Sequence, residues 1–379
     1  MSVKMLVGAP AYNKAPAPAK IPSPKLYPTM MVIEEDQPVW VSVPQPDKLH
    51  LNIRLSPSHF VSGYKPNDPH DYGRMIMQSL ATGLAGKVTG AQYVEHAYLF
   101  KALQVDLADL GEPVYFSLAR TKNDKDGPHT LSIQLNPRLL GEQGAYELLS
   151  QLYHITGKRL LVGRMLADAR LSRLDVAVDI IGVQIADMLL SMKGAGTQSI
   201  WKPVGGDLES VALFRAAKKK TGGVRIGERI AIAYDKRAER LAAGAPPPYG
   251  PAPVSRVEIT KTRFGNKPFW LTDLPAAPNP FQAVRAGLVR SAQSPISRAF
   301  IEYAALRRTY SQYRTTQIMS LSDTGAQLLE QCLQNHPSDL IDGANVWSGW
   351  QAGLCETGTA LLIEAAVKGS AQVPIPDFG

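Results

Sequence analysis

The chain has 379 residues, 45% hydrophobic and 20% charged, with 41 Lys and Arg against 33 Asp and Glu. Two cysteines, Cys332 and Cys355, are too few for a disulfide framework or a Cys-only zinc site. No apolar run reaches the roughly 18–20 residues that span a bilayer, and the N-terminus lacks an apolar stretch of signal-peptide length, so a soluble, cytoplasmic protein is expected.

Residues 9–28 carry six prolines among Ala and Lys, which favours extended, solvated backbone and predicts a disordered arm over residues 1–29. Ordered structure is expected from about residue 30, with strand-like VIEEDQPVWVSV and DKLHLNIRLS. In the second, Leu49, Leu51 and Ile53 alternate with His50, Asn52 and Arg54, the pattern of a half-buried strand. Residues 72–86 read as a Gly-weakened helix. Residues 112–122 and 129–140 read as a hairpin around the polar KNDKDGP turn, and 144–161 as an amphipathic helix. A strand over 170–181, a helix over 183–192 and strands over 207–214, 227–236 and 254–264 follow. Two linking segments stand out: the lysine-rich turn AAKKKTGG (216–223), and residues 241–253, which hold five prolines and no charge and predict an exposed extended connection. Residues 296–319 and 322–335 read as helices, whereas 344–367 are apolar, Gly-interrupted and left unassigned.

The fold class expected is α+β: antiparallel sheets with packed helices over residues 30–285, then a smaller all-helical region over 286–379. Short hairpin-like connections argue against a parallel doubly wound sheet. Charge is unevenly divided. Residues 1–157 are neutral (14 against 14), 158–240 carry 16 positive and 9 negative groups, 254–320 carry 10 and 3, and 321–379 carry 1 and 7. A centre of net +14 is the footprint of a polyanionic partner, most often nucleic acid.

Three strands in that centre carry charge beside apolar residues. In RLDVAVD, Arg173, Asp175, Ala177 and Asp179 share one face, and Leu174, Val176 and Val178 the other. In VSRVEIT, Arg256, Glu258 and Thr260 share a face, and Tyr234 ends GERIAIAYDK just before Asp235 and Lys236. Two readings stand side by side. The carboxylates could hold a hard divalent cation beside a tyrosine nucleophile whose pKa, near 10 when unperturbed, a cation must lower. Alternatively, Asp175 and Asp179 pair with Arg173, Arg256 or another Arg on a wet sheet face, and Tyr234 is a core tyrosine with its hydroxyl at the rim. A carboxylate hydrolase acting on sugars, with Asp179 and Glu258 as acid and base, is a weaker alternative.

The order LSIQLNPRLL … RLSRLDVAVDI … VALF … GERIAIAYDKRAER … VSRVEITKTRF … FWLTDLPAAPNPF resembles the rolling-circle replication initiators of the trans-acting plasmid type and the similar proteins of filamentous phages, over roughly residues 47–285. The resemblance implies that Tyr234 nicks one DNA strand and becomes linked to the 5′-phosphate, with Lys236 assisting. It implies Mg²⁺ or Mn²⁺ held by Asp175 or Asp179 with Glu258, and a contribution from Asp235. The DNA contacts expected are Lys218, Lys219, Lys220 and Arg225 in the basic turn, Arg237 and Arg240 after the tyrosine, and Arg256. The partner is a double-stranded origin with a single-stranded or hairpin nick site, in the cytoplasm of a bacterial host. A host helicase and a second copy of the chain are further partners in this scheme. No Walker-type phosphate loop is present, and no His-x-His pair occurs among the seven histidines, which sets the chain apart from initiators with a two-histidine metal site. The alternative within nucleic-acid biology is an origin-binding or regulatory protein that does not cut.

Overall fold

The computed structural model describes residues 32–34, 37–59, 99–107, 112–119, 130–155, 161–185, 188–192, 195–201, 210–215, 229–262, 264, 267–288 and 340–370. In chain order these form β1 (Val32–Glu34), β2 (Gln37–Val41), β3 (Gln45–Arg54), β4 (Leu99–Leu107), β5 (Glu112–Ala119), β6 (Thr130–Leu135) and α1 (Pro137–Ile155). Next come α2 (Val162–Ala167), β7 (Ala169–Ile181), β8 (Met188–Met192), β9 (Ala195–Trp201), β10 (Ser210–Arg215), β11 (Arg229–Asp235) and α3 (Lys236–Ala242). The remainder is β12 (Val254–Lys261), β13 (Val284–Leu288), α4 (Gly343–Ser348), α5 (Trp350–Glu356) and α6 (Thr359–Ser370). The expected mixture of helices and antiparallel sheet is therefore present. The arm, the 72–86 helix, the KNDKDGP turn, the lysine-rich turn with Lys218, Lys219, Lys220 and Arg225, and the helices over 296–319 and 322–335 lie outside the described residues.

β7 is the axis of the sheet. At 13 residues it is long enough to pair with β12 along one edge and with β3 and β2 along the other. The sheet order is β4-β5-β6-β3-β7-β12-β11-β10-β9, with every described ladder antiparallel, and β2 with β1 attached beside the end of β7. β2 and β3 act as one long strand along β7, interrupted at residues 42–44. There Ser42 takes over the ladder: its N–H donates to the Asp179 carbonyl (2.8 Å) and its Oγ accepts from the Asp179 N–H (2.9 Å).

Strand alternation separates two sheet faces. Leu49, Leu51, Ile53, Leu131, Ile133, Leu174, Val176, Val178, Val257 and Ile259 are buried in one hydrophobic core. On β3 and β6 burial alternates residue by residue, giving one dry face and one wet face. On β7 and β12 both faces are buried around Val176–Ile181 and Val254–Ile259, because charged groups and the chain covering them fill the second face.

Three expectations are corrected. The helix expected over 183–192 is a 3₁₀ step followed by β8, whose Met188–Met192 pairs with Leu288–Val284 of β13. A short apolar run fits either element, and here a partner almost a hundred residues away decides it. The strand expected over 129–140 ends at Leu135, where Asn136 and Pro137 begin α1: the Asn136 carboxamide oxygen accepts from the Leu139 N–H (3.4 Å) and proline sits at the first helical position. The 241–253 connection is a set of turns, with Gly244 and Gly250 at φ 68° and 65°, that brings Tyr249 onto the sheet.

The last helices belong to the same core. Trp350, Leu354, Leu362, Ile363 and Ala366 join the cluster that contains Leu49 and Leu174, and the Trp350 indole N–H donates to the Leu274 carbonyl (2.8 Å). α5 presses so closely on the β2–β3 interruption that a Cβ on Gly353 would sit 1.8 Å from the Pro44 carbonyl oxygen. Replacing Gly353 by Ala forces backbone apart, and overpacking of this kind costs about 1–3 kcal/mol. Urea unfolding of Gly353→Ala is expected to show that loss at unchanged slope. A stability equal to wild type contradicts docking of the C-terminal helices on this sheet.

Candidate functional site

The charged face of β7, β12 and β11 carries the chemistry. Directly paired residues in antiparallel strands project to the same side, and the register Tyr234↔Arg256↔Asp179 lines up these three residues across β11, β12 and β7, with Ser210 of β10 at the far end. One step along, Ile232↔Glu258↔Ala177 form the next row, and Thr260↔Asp175↔Lys48 the row after that. Tyr234, Asp179, Glu258 and Asp175 therefore occupy one face; the sequence groups Asp175 with Asp179 and Glu258 with Arg256 strand by strand, and the register joins these sets.

Asp179 is the centre of the cluster. Its side chain is fully buried, and its carboxylate is gripped by two guanidiniums. Arg256 Nε donates to Oδ1 (2.7 Å) and Nη2 to Oδ2 (3.2 Å). Arg138, on the first turn of α1, donates to Oδ1 through Nη1 (3.3 Å) and to Oδ2 through Nη2. Tyr249, from the proline-rich connection, hydrogen-bonds to the same carboxylate. Burial works against the Asp179 charge, but the Arg138 and Arg256 charges overcome it and hold the carboxyl far below the usual range. A carboxyl so held cannot carry a proton near neutrality, which removes it as the acid of a sugar hydrolase.

Arg256 is 2% exposed. Beyond Asp179, its Nη1 donates to Asp47 Oδ1 (3.1 Å). Asp47 is the residue skipped by the β3–β7 ladder between Pro46 and Lys48, and this bulge places its carboxylate within reach of Arg256. Burial opposes the guanidinium charge, while Asp179, Tyr234 and Asp47 raise its pKa well above the ordinary value. Arg256 is thus an internal charge partner, and the expectation that it contacts DNA is corrected.

Asp175 makes a similar local pair. Arg173 Nε donates to its two oxygens (2.9 and 3.1 Å) and Nη2 donates to Oδ2 (2.6 Å). Beside it, His50 and Thr260 present buried polar atoms, Nε2 and Oγ1, that have no hydrogen-bond partner among the described residues. Burial first, then the charges of Arg173 and Lys48, lower the His50 pKa to about 4, so the imidazole is neutral at physiological pH.

Tyr234 ends β11 half-buried. Burial pushes its phenol well above 10; Arg256 opposes this, and Asp47, Glu258 and Glu239 add to it. Lys236 follows on α3, buried, with Nζ paired to Glu239 and lying 5.7 Å from the centroid of the Tyr234 ring. Burial first, then Arg256, lower the Lys236 pKa. Asp235 departs from the metal role expected of it. It is the N-cap of α3, its Oδ1 accepting from the Ala238 N–H (2.8 Å), and its register partner Ser255 belongs to the opposite face. Arg237 is exposed on α3 and Arg240 half-exposed on its last turn, as DNA-contacting residues require.

The divalent cation expected from the resemblance does not fit these residues as arranged. Asp47, Asp175 and Asp179 each accept from a guanidinium and Asp235 caps a helix. Among the described residues no three His, Cys, Asp or Glu side chains gather as a ligand set. A metal at Asp175 or Asp179 would first have to displace an arginine. No known protein-family model and no curated protein sequence matches the chain.

Removing Asp179 leaves the buried Arg256 guanidinium with Asp47 alone and takes the carboxylate partner from Arg138, and loss of one partner of a buried pair costs about 3–5 kcal/mol. Asp179→Ala is expected to lose stability on that scale in chemical denaturation. Because the folded carboxyl is held below its unfolded value of about 3.9, its contribution is complete above about pH 4 and fades as pH falls further. The variant's melting temperature is therefore expected to depend less on pH in that range than the wild type's. A variant within about 0.5 kcal/mol of wild type contradicts the buried cluster.

Proposed function

We propose that the chain is a DNA replication initiator that binds an origin and nicks and rejoins one strand through a covalent 5′-phosphotyrosine at Tyr234. The observation that carries this reading is the placement of Tyr234 at a strand end, in one cross-strand row with Arg256 and Asp179, with the buried Lys236 ammonium beside its ring. The strongly basic centre of the sequence supports a polyanionic substrate.

The phenol must lose its proton to attack. Arg256 lowers its pKa from one side, and Glu258, in the adjacent row of the same face, is the carboxylate proposed to accept the proton. The phenolate oxygen attacks the scissile phosphorus, the Oη–P bond forms as the P–O3′ bond breaks, and the 3′-oxygen leaves. Lys236, whose pKa is lowered by burial, supplies the proton to that leaving oxygen and positive charge near the developing phosphorane. The reverse attack of a 3′-hydroxyl reseals the strand, since the phosphotyrosine bond keeps the energy of the phosphodiester. A host helicase and a second copy of the chain remain proposed partners in replication.

A non-cutting origin-binding protein is the second reading. The matching of the buried Asp47, Asp175 and Asp179 to arginines and the raised Tyr234 pKa favour it, since both are what a purely structural charge cluster shows.

Supercoiled DNA carrying the origin, incubated with the chain, is expected to yield nicked circles and a denaturant-stable adduct whose modified peptide contains Tyr234. Tyr234→Phe abolishes both, and Lys236→Ala slows adduct formation by about 10²–10⁴-fold, the usual range for loss of a general acid. Tight binding without an adduct in the wild type selects the non-cutting reading.

A further inference from the structure

The same sheet face continues away from Tyr234, past Asp175, onto β3, β6 and β5. Its rows there are Arg173↔His50↔Gln134↔Tyr115 and Arg170↔Asn52↔Ser132↔Ser117, with Arg54 beyond them opposite Thr130. The alternating burial of β3 and β6 leaves this face wet, while the other packs on the core. Its charged members in these three rows are Arg54, Arg170 and Arg173, all positive, with Lys48 and the Arg173-paired Asp175 in the neighbouring row. Arg54 and Arg170 are exposed.

Two aromatic rings flank the cations. Tyr115 is 44% exposed on β5, and Trp270, bridged to Arg170 on the β12 side of β7, is 38% exposed.

We infer that the wet part of this face, on β5, β6 and β3 and ending at Arg170 and Arg173 of β7, is a track for single-stranded DNA beside the buried cluster that holds Tyr234. The inference rests on the nicking reading above and specifies where the strand lies. Exposed rings stack bases without regard to sequence, and arginines between them neutralise the backbone, the combination by which sheet surfaces hold single strands. Three strand spacings of about 4.8 Å give a path of about 14 Å from β5 to β7, long enough for about two or three nucleotides. A duplex keeps its bases stacked inside and cannot use the rings, so the track discriminates by strandedness.

The test uses the full chain carrying Tyr234→Phe, so that binding is read without cleavage. Fluorescence anisotropy compares a labelled 16-nucleotide mixed-sequence single strand with its duplex. Single-strand binding is expected to be the tighter. Arg54→Glu with Arg170→Glu is expected to weaken it about tenfold or more and to flatten its salt dependence, and Tyr115→Ala to weaken it about fivefold. Lys368→Glu, on α6, is the control and leaves it unchanged. Arg54, Arg170 and Tyr115 are exposed, and unchanged melting curves confirm that the variants fold. Equal affinity for both DNAs, or face variants that bind like the control, overturns the track. The adduct assay on the wild-type Tyr234 chain separates the two claims. An adduct with normal single-strand binding by the face variants sinks the track alone; loss of binding in those variants without any wild-type adduct sinks the nicking reading alone.

Discussion

One buried carboxylate organises this molecule. Asp179 sits with its side chain fully out of water, and a lone anion there would be prohibitive to keep charged. Two guanidiniums and a tyrosine hydroxyl answer that constraint, while Ser42 exchanges hydrogen bonds with the Asp179 backbone. Each partner comes from a different part of the chain: Ser42 from the β2–β3 interruption, Arg138 from α1, Tyr249 from the proline-rich turns and Arg256 from β12. One residue, through its charge and its backbone, thereby fixes four segments around the end of β7.

The consequences reach Tyr234 through Arg256. With Nε and Nη2 held by Asp179 and Nη1 by Asp47, the guanidinium has a single orientation, and Tyr234 stands in its row. The tyrosine meets a fixed positive charge on a half-buried strand end, with Lys236 Nζ 5.7 Å from the centroid of its ring. That is a site tuned by cations. Its opposite extreme lies along the same face, where β3 and β6 return to one dry and one wet side and their exposed polar residues meet solvent.

How far the sequence revealed this depends on the range of the forces involved. Period-two alternation placed Asp175 with Asp179 and Glu258 with Arg256, because it depends only on neighbouring residues, whereas the strand register that brings Tyr234 onto the same face does not. The open alternative that Asp175 pairs with Arg173 and Asp179 with Arg256 matches the bonds found, and the first of these is local. Arg138 and Asp47 carried no such signal. One depends on where α1 begins, the other on a bulge in β3, although Asn136-Pro137 does mark the helix start and was passed over as strand. Asp235 left the predicted site because the chain turns there, and a carboxylate at a helix start is better used capping an N–H. Tyr249 was hidden by composition: five prolines in an uncharged stretch predict an extended linker, and nothing local says that one ring will fold back onto a carboxylate. β8 was misread for the related reason that its partner, β13, lies far along the chain.

The account stands on the Asp179–Arg256 pair, and a double-mutant cycle measures it directly. Asp179→Asn, Arg256→Met and the double variant are unfolded in urea together with the wild type. If the pair organises the site, the coupling energy is in the upper part of the 0.5–3 kcal/mol range found for residues within one network, roughly 2–3 kcal/mol, and the double variant is more stable than the sum of the single losses predicts. Additive losses, agreeing within about 0.5 kcal/mol, would contradict it.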